Sequence, residues 1–83
     1  MDSSLLIAFD STQQALRAEM LLEYAGIEID IRPTPKEITA GCALSIEFPE
    51  SELDRTKAVI AQEKVEIRGM FRRTEPETYE QIM

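Results

Sequence analysis

The chain has no histidine, no tryptophan and a single cysteine, Cys42. Without histidine, the Ser–His and Cys–His pairs that activate many catalytic nucleophiles cannot form. Zinc and iron–sulfur sites take most of their ligands from cysteine and histidine, so the sequence predicts no such site. One cysteine also excludes an internal disulfide, and we expect a reducing, cytoplasmic setting. We therefore expect no metal and no other cofactor.

Long apolar runs, glycine-rich loops and excess positive charge are also missing. The apolar run at residues 5–9 is too short for a membrane span or a signal peptide. The three glycines are scattered and form no phosphate-binding loop. Sixteen acidic residues against nine basic ones give a formal charge of −7, which disfavours nucleic acid and anionic membrane as partners. The acidic surface is explained most simply by solubility.

What is present is an alternation of strand and helix patterns within 83 residues, enough for one small domain. The apolar run at residues 5–9 is typical of a buried strand. Ser11 and Gln14 have capping-box spacing and predict a helix to Ala25, with Gly26 as a left-handed cap. Period-two alternation predicts strands at residues 27–32, 42–48 and 65–71, and helical spacing predicts a second helix at residues 49–62.

This order of elements is that of the ferredoxin-like βαββαβ fold, in the α+β class. It predicts a four-stranded antiparallel sheet in the order 4-1-3-2, with both helices on one face. Five residues should be buried together: Leu22, Ile29, Leu44, Ile46 and Ile67. We assign residues 1–73 to this domain and residues 74–83 to a C-terminal tail. The tail should either be less ordered than the core or form a short helix docked through Tyr79 and Ile82, because Thr74 and Glu77 repeat the capping-box spacing.

The predicted topology places Cys42 beside the start of the first helix, because strand one and strand three are neighbours. Unpaired amides and the dipole of a helix start stabilise an anion, so a thiolate would be favoured there and would be reactive. Lys36 and Arg32 would add positive potential. We therefore predict a partly accessible Cys42, with Ser11, Thr12, Lys36 and Arg32 as anion-stabilising residues.

Cys42 also fits a purely structural role, because it alternates in phase with Leu44, Ile46 and Phe48. Free cysteine is among the most buried residue types. In that case the domain is a ligand-binding, regulatory or oligomerisation module, and a homodimer through the sheet is one form of it. The open face of the sheet would be small and weakly apolar at its centre, formed by Leu6, Ala8, Ala43 and Ser45. A redox-sensing thiol is a third alternative.

Three segments of the chain resemble one family of small bacterial proteins. They are Leu-Ile-Ala-Phe-Asp-Ser-Thr at 6–12, Ala-Leu-Arg-Ala-Glu at 15–19, and Pro-Thr-Pro-Lys-Glu-Ile-Thr-Ala-Gly-Cys at 33–42 followed by Leu-Ser-Ile-Glu-Phe. From about residue 5 to residue 71, the chain resembles the proteins described as putative Se/S carrier protein-like. The family's proposed carrier residue, the cysteine that ends the third segment, falls on Cys42. Family members often have serines before this cysteine and a glycine after it, where this chain has Thr39, Ala40, Gly41 and Ala43.

The resemblance implies a small sulfur or selenium carrier of the cytoplasm. Cys42 would accept a sulfane sulfur, or its selenium analogue, as a persulfide from a donor of the cysteine desulfurase type. It would then relay that atom to an acceptor enzyme, so the protein would be a co-substrate rather than a stand-alone enzyme. Fast labelling of Cys42 in the folded protein would favour a carrier or a sensor, whereas protection would favour the module.

Overall fold

The computed structural model describes residues 3–75 and 78–83 of the chain. In chain order the elements are β1 (Ser4–Ala8), α1 (Thr12–Tyr24), β2 (Asp30–Pro33), β3 (Leu44–Pro49), a 3₁₀ turn (Glu50–Glu52), α2 (Leu53–Gln62), β4 (Gly69–Glu75) and β5 (Thr78–Gln81). The predicted α+β class, with two helices and an antiparallel sheet, is confirmed. No helix within the described residues is both long enough and apolar enough to cross a membrane.

The sheet has five strands in the order β2-β3-β1-β4-β5, and every neighbouring pair is antiparallel. β1 lies at the centre, where Ala8 is opposite Ser45 of β3 on one side and Gly69 of β4 on the other. The end of β1 therefore lies beside the starts of β3 and β4. β2 forms one edge, with Arg32 opposite Ser45.

The prediction of four strands is wrong, because residues 78–81 form a fifth strand instead of the predicted tail helix. β5 pairs with β4, and Tyr79 lies opposite Arg73. Gly69 permits the chain end to approach closely, since a Cβ there would lie 2.6 Å from Gln81 Nε2. Pairing with β4 gives hydrogen-bond partners to the backbone N–H and C=O groups of β5. A helix of this length would be only marginally stable. The sheet thus departs from the predicted four-stranded ferredoxin-like arrangement, and Glu77 of the predicted capping box lies outside the described residues.

Both helices end in the same backbone motif, which explains why two strands begin later than predicted. After α1, Gly26 has a φ of +81° and Ile27 N–H donates to the last turn of the helix at 3.0 Å. After α2, Lys64 has a φ of +54° and Val65 N–H makes the equivalent bond at 3.0 Å. These are the bonds of a Schellman motif. Ile27 and Val65, predicted as strand residues, therefore complete the helix ends.

The larger hydrophobic core lies between one face of the sheet and the two helices. Its buried members are Leu5, Ile7, Phe9, Ala15, Ala18, Leu22, Ile27, Cys42, Ile46, Phe48, Ile60, Val65 and Met70. Among the residues predicted to be buried together, Leu22 and Ile46 are members of this core. Ile29, Leu44 and Ile67 pack against it and are partly buried.

A smaller apolar cluster lies on the opposite face of the sheet. Leu6, Ala8 and Ile38 are its buried members, and Phe71 and Tyr79 pack beside them. Ile38 belongs to the connection between β2 and β3, which therefore folds over part of the face that was predicted to be open.

Candidate functional site

Residues 34–43 connect β2 to β3 and are called the Cys42 loop. Hydrogen bonds tie its last residues to the junction between β1 and α1. Cys42 N–H donates to Phe9 O at 3.1 Å, and Gly41 N–H donates to Asp10 Oδ1 at 2.9 Å. The end of the loop is thus fixed against the point where β1 leads into the helix.

Gly41 allows this close approach of two main chains. A Cβ on Gly41 would lie 2.6 Å from Asp10 O and 3.2 Å from Asp10 Cα. Because the facing atoms belong to the main chain, they cannot move aside by rotating a side chain. A larger residue at this position would push the Cys42 loop away from α1.

The first residues of the loop are held from the other side by Thr34. Its Oγ1 donates to Cys42 O at 3.0 Å and lies 2.6 Å from Ser45 Oγ. Thr34 N–H also donates to Ala43 O at 2.7 Å. Cys42 is therefore held through both its N–H and its C=O.

The sulfur of Cys42 lies at the first turn of α1. It is 3.3 Å from Thr12 Oγ1, and Leu44 N–H donates to it at 3.3 Å. Ser11 does not act on the sulfur in this arrangement: it caps α1, and its Oγ accepts from Gln14 N–H at 3.4 Å. The groups around the sulfur are thus the Thr12 hydroxyl and the Leu44 amide. Thr12 is one of the predicted residues, whereas the Leu44 amide was missed because the prediction considered only the amides at the helix start.

The side chain of Cys42 is buried, since the residue is only 3% exposed and belongs to the larger core. The prediction of a partly accessible thiol is therefore wrong for this arrangement of the loop. The cause is the alternation that the sequence itself shows: Cys42 is in phase with Ile46 and Phe48, which face the helices. A free thiol in such a place packs as a small hydrophobic group.

Among the described residues, neither of the two cations predicted around Cys42 forms a hydrogen bond with its sulfur. Arg32 is opposite Ser45, which alternates with the core residue Ile46, so Arg32 lies on the face away from the core. Its Nε donates to Glu47 Oε1 at 3.4 Å. Lys36 is exposed in the Cys42 loop. The structure thus does not bring the predicted positive charges to the sulfur.

The cation that does hold the Cys42 loop is Arg68, which sequence reasoning missed. Its Nε donates to Thr39 O at 3.1 Å, and its Nη1 lies 4.0 Å from Asp10 Oδ2. Both side chains of this ion pair are at least half exposed, so the pair contributes little energy. Arg68 comes one residue before β4, and only the pairing of β4 with β1 brings it to this end of the sheet. That long-range pairing is the signal that could have identified it.

The chemistry available at this site is that of a single sulfur atom with polar neighbours. The Leu44 amide donates a hydrogen bond to the sulfur, and the Thr12 hydroxyl can either donate or accept one there. Across residues 3–75 and 78–83, no group of three or more Cys, Asp or Glu side chains is arranged to hold a metal ion. The arrangement is therefore suited to thiol chemistry if the sulfur becomes accessible.

Comparison with known proteins identifies a family for most of the chain. Residues 4–72 match the model of the family described as "Putative Se/S carrier protein-like". This range includes the Cys42 loop and both helices. A search of curated proteins found no match. A search of solved structures found none either.

Proposed function

Because the chain belongs to the family described as Putative Se/S carrier protein-like, we propose that it carries sulfur or selenium on Cys42. Family membership is the observation that carries this proposal. Cys42 is the chain's single thiol, which leaves one atom for covalent carriage. The hydroxyl of Thr12 and the amide of Leu44, both 3.3 Å from the sulfur, support it, because both can donate hydrogen bonds to a thiolate formed at this position during transfer.

In the proposed loading step, Cys42 Sγ attacks the outer sulfur of a persulfide on a donor enzyme of the cysteine desulfurase type. A new bond forms between Cys42 Sγ and that outer sulfur, while the donor's own S–S bond breaks. The donor cysteine leaves as a thiolate and takes up the proton that Cys42 loses. The transfer needs no external oxidant or reductant. Release to an acceptor enzyme is the same reaction with Cys42 as the leaving group, and selenium would replace the outer sulfur in the selenium version.

Loading requires the Cys42 loop to open, because a residue that is 3% exposed leaves no space for another protein's sulfur. Opening breaks the bonds from Gly41 to Asp10 and from Cys42 to Phe9. With about 1 kcal/mol net for each bond, plus lost burial of the thiol, the cost is on the order of a few kcal/mol. A state of that energy is sparsely populated and can be selected by a partner.

We propose that the donor docks on the outer surface of α1, close to Cys42. Leu16, Met20 and Tyr24 form an apolar stripe with four-residue spacing, and they are 52%, 63% and 93% exposed. The stripe begins one turn after Thr12, which contacts the sulfur. Glu19 and Glu23 lie on the same helix. The matching surface of the donor is therefore an apolar groove with basic residues at its rim.

The test is incubation with a purified cysteine desulfurase and cysteine, followed by intact mass measurement. We expect an increase by the mass of one sulfur atom, removed by a thiol reductant and absent from Cys42→Ser. Met20→Glu serves as the matched docking control, because Met20 is exposed and lies outside the core. It should slow loading by the enzyme while loading by a small persulfide is unchanged. No adduct on the wild-type protein from either donor would contradict the carrier proposal.

One observation favours a second candidate function, a non-enzymatic binding or regulatory module. Cys42 is packed in the larger core, as a structural cysteine would be. If Cys42 is only core, thiol reagents should label it no faster than the whole domain unfolds. Labelling that is much faster than global unfolding would instead show the local opening that carriage requires.

A further inference from the structure

The sheet face opposite the helices carries a groove of about 830 Å³. Its apolar surface comes from Leu6, Phe71 and Tyr79, and Pro35 from the Cys42 loop lines it as well. Leu6 and the packed aromatic side chains belong to the smaller apolar cluster, so this surface is supported by buried neighbours. The volume is within the range of sites that bind small organic molecules, roughly 300–1,000 Å³.

The charge of the groove is opposite to that of the chain. Arg32, Arg72 and Arg73 line it, and Glu47 is the one acidic residue among the described lining residues. Arg72 is paired with Glu50, and Arg32 and Arg73 against Glu47 leave the described lining with a formal charge of +1, whereas the whole chain carries −7. Strand register assigns Arg73 to the groove's face, because Arg73 is opposite Tyr79. Arg72 is opposite the core residue Leu5, so its side chain leaves β4 on the helix face and pairs with Glu50 at the rim of the groove.

Two of these arginines are already partly compensated. Arg32 Nε lies 3.4 Å from Glu47 Oε1, and Arg72 is paired with Glu50. The side chains of Arg32 and Glu47 are 57% and 34% exposed, and those of Arg72 and Glu50 are 39% and 37% exposed. Exposed pairs of this kind are weak, so the Arg32 guanidinium, which lies on the groove's face, can exchange its carboxylate partner for an anionic ligand.

We propose that this groove binds a small organic anion that has a flat apolar body and a carboxylate, sulfonate or phosphate group. Guanidinium groups present a planar fork of donors that matches such oxyanions. The partly buried rings of Phe71 and Tyr79 provide the surface for the apolar body, and they pack against the cluster that contains the buried Leu6. The ligand site is on the opposite face of the sheet from Cys42 and is independent of the chemistry proposed for the thiol.

A second copy of the chain is a poorer occupant. In a two-fold dimer each copy presents the same patch to the other, so pairing through this face would bring the two sets of arginines together. The like charges would oppose association. A long polyanion is also a poor fit, because the chain outside the groove is strongly acidic and would repel it.

The probe for the test is anilinonaphthalene sulfonate, which combines a flat aromatic body with one anionic group. Fluorescence titration of the folded protein should show one saturable site, and phenylnaphthylamine, the uncharged analogue, should bind at least about threefold more weakly. Arg73→Gln and Arg32→Gln should each weaken binding of the sulfonate about threefold to tenfold and leave binding of the analogue unchanged. Arg17→Gln is the matched control, because Arg17 lies on α1 and contacts Glu63.

Chemical-shift changes of backbone amides provide a second readout that does not depend on any substitution. On addition of the sulfonate they should cluster at Leu6, Phe71 and Tyr79. Equal binding of the charged and uncharged probes would overturn the proposal. Equal losses of sulfonate affinity in the groove variants and in Arg17→Gln would also overturn it. The same holds for chemical-shift changes centred on the helices, or for a stable dimer in sedimentation whose interface covers the groove.

Discussion

Replacing Gly41 by alanine should both destabilise the domain and expose Cys42. The added Cβ would lie 2.6 Å from Asp10 O and 3.3 Å from Asp10 C, so the loop or the end of β1 must move. Overpacking of this kind costs about 1–3 kcal/mol. Loss of the Gly41–Asp10 and Cys42–Phe9 bonds adds about 0.5–1.5 kcal/mol each. Alanine also lowers the conformational entropy of the unfolded chain, which offsets about 0.4–1 kcal/mol of this destabilisation. Together these contributions give a net loss of about 1–5.5 kcal/mol in the free energy of unfolding, with a central value of about 3 kcal/mol.

Two assays separate this effect from general destabilisation. Urea denaturation gives the change in stability, and the rate of thiol labelling in native buffer gives the local opening of the Cys42 loop. Labelling of Gly41→Ala should be faster by a factor on the order of ten or more, since the closed loop is directly weakened. Gly26→Ala is the control. Its Cβ would meet only Arg55 Nη2 at 3.9 Å, so the cost is about 1–2 kcal/mol of left-handed backbone strain, far from the thiol. If Gly41→Ala matches the wild-type protein in both assays, the close approach of the loop to Asp10 is not what keeps Cys42 buried.

Three further predictions concern stability. Thr56→Val should raise the free energy of unfolding by about 1 kcal/mol, because Thr56 Oγ1 is buried without a hydrogen-bond partner among the described residues. A lower free energy of unfolding in urea denaturation would contradict this. Lys64→Gly should add about 0.5–1 kcal/mol by relieving the φ of +54°; an unchanged denaturation midpoint would argue against that strain. Deleting residues 78–83 should cost at least about 2 kcal/mol, since β5 and Ile82 are lost; a thermal transition equal to that of the full chain would show that β5 is dispensable.

Local patterns in the sequence predicted the helices better than the sheet. Ser11 and Gly26 mark the two ends of α1, and both act through bonds within a few residues. β5 was missed because Thr74 and Glu77 have helix-start spacing, whereas the strand depends on pairing with β4 and on the space that Gly69 leaves. Pairing between segments is decided by tertiary contacts, which a local pattern does not contain.

The candidate site shows the same division between local and long-range information. Strand order alone brought Cys42 to the first turn of α1, where Thr12 Oγ1 is 3.3 Å from the sulfur. Burial of the thiol has a local signal, the alternation of Cys42 with Ile46 and Phe48. The role of Arg68 depends on the pairing of β4 with β1 and has no local signal. Arg32 was expected beside Cys42 because the two residues are near each other in sequence. Its side chain instead lies on the sheet face away from the core, opposite Ser45.

The central claim, that Cys42 carries an atom from one protein to another, is tested most directly by release. The wild-type protein is loaded by a desulfurase, separated from it and mixed with an acceptor thiol, and its intact mass is followed with time. The account predicts a loaded species that returns to the unmodified mass as the sulfur appears on the acceptor, with Cys42→Ser never loaded. A folded wild-type protein that gains no sulfur, or an adduct that no acceptor thiol removes, would contradict the account.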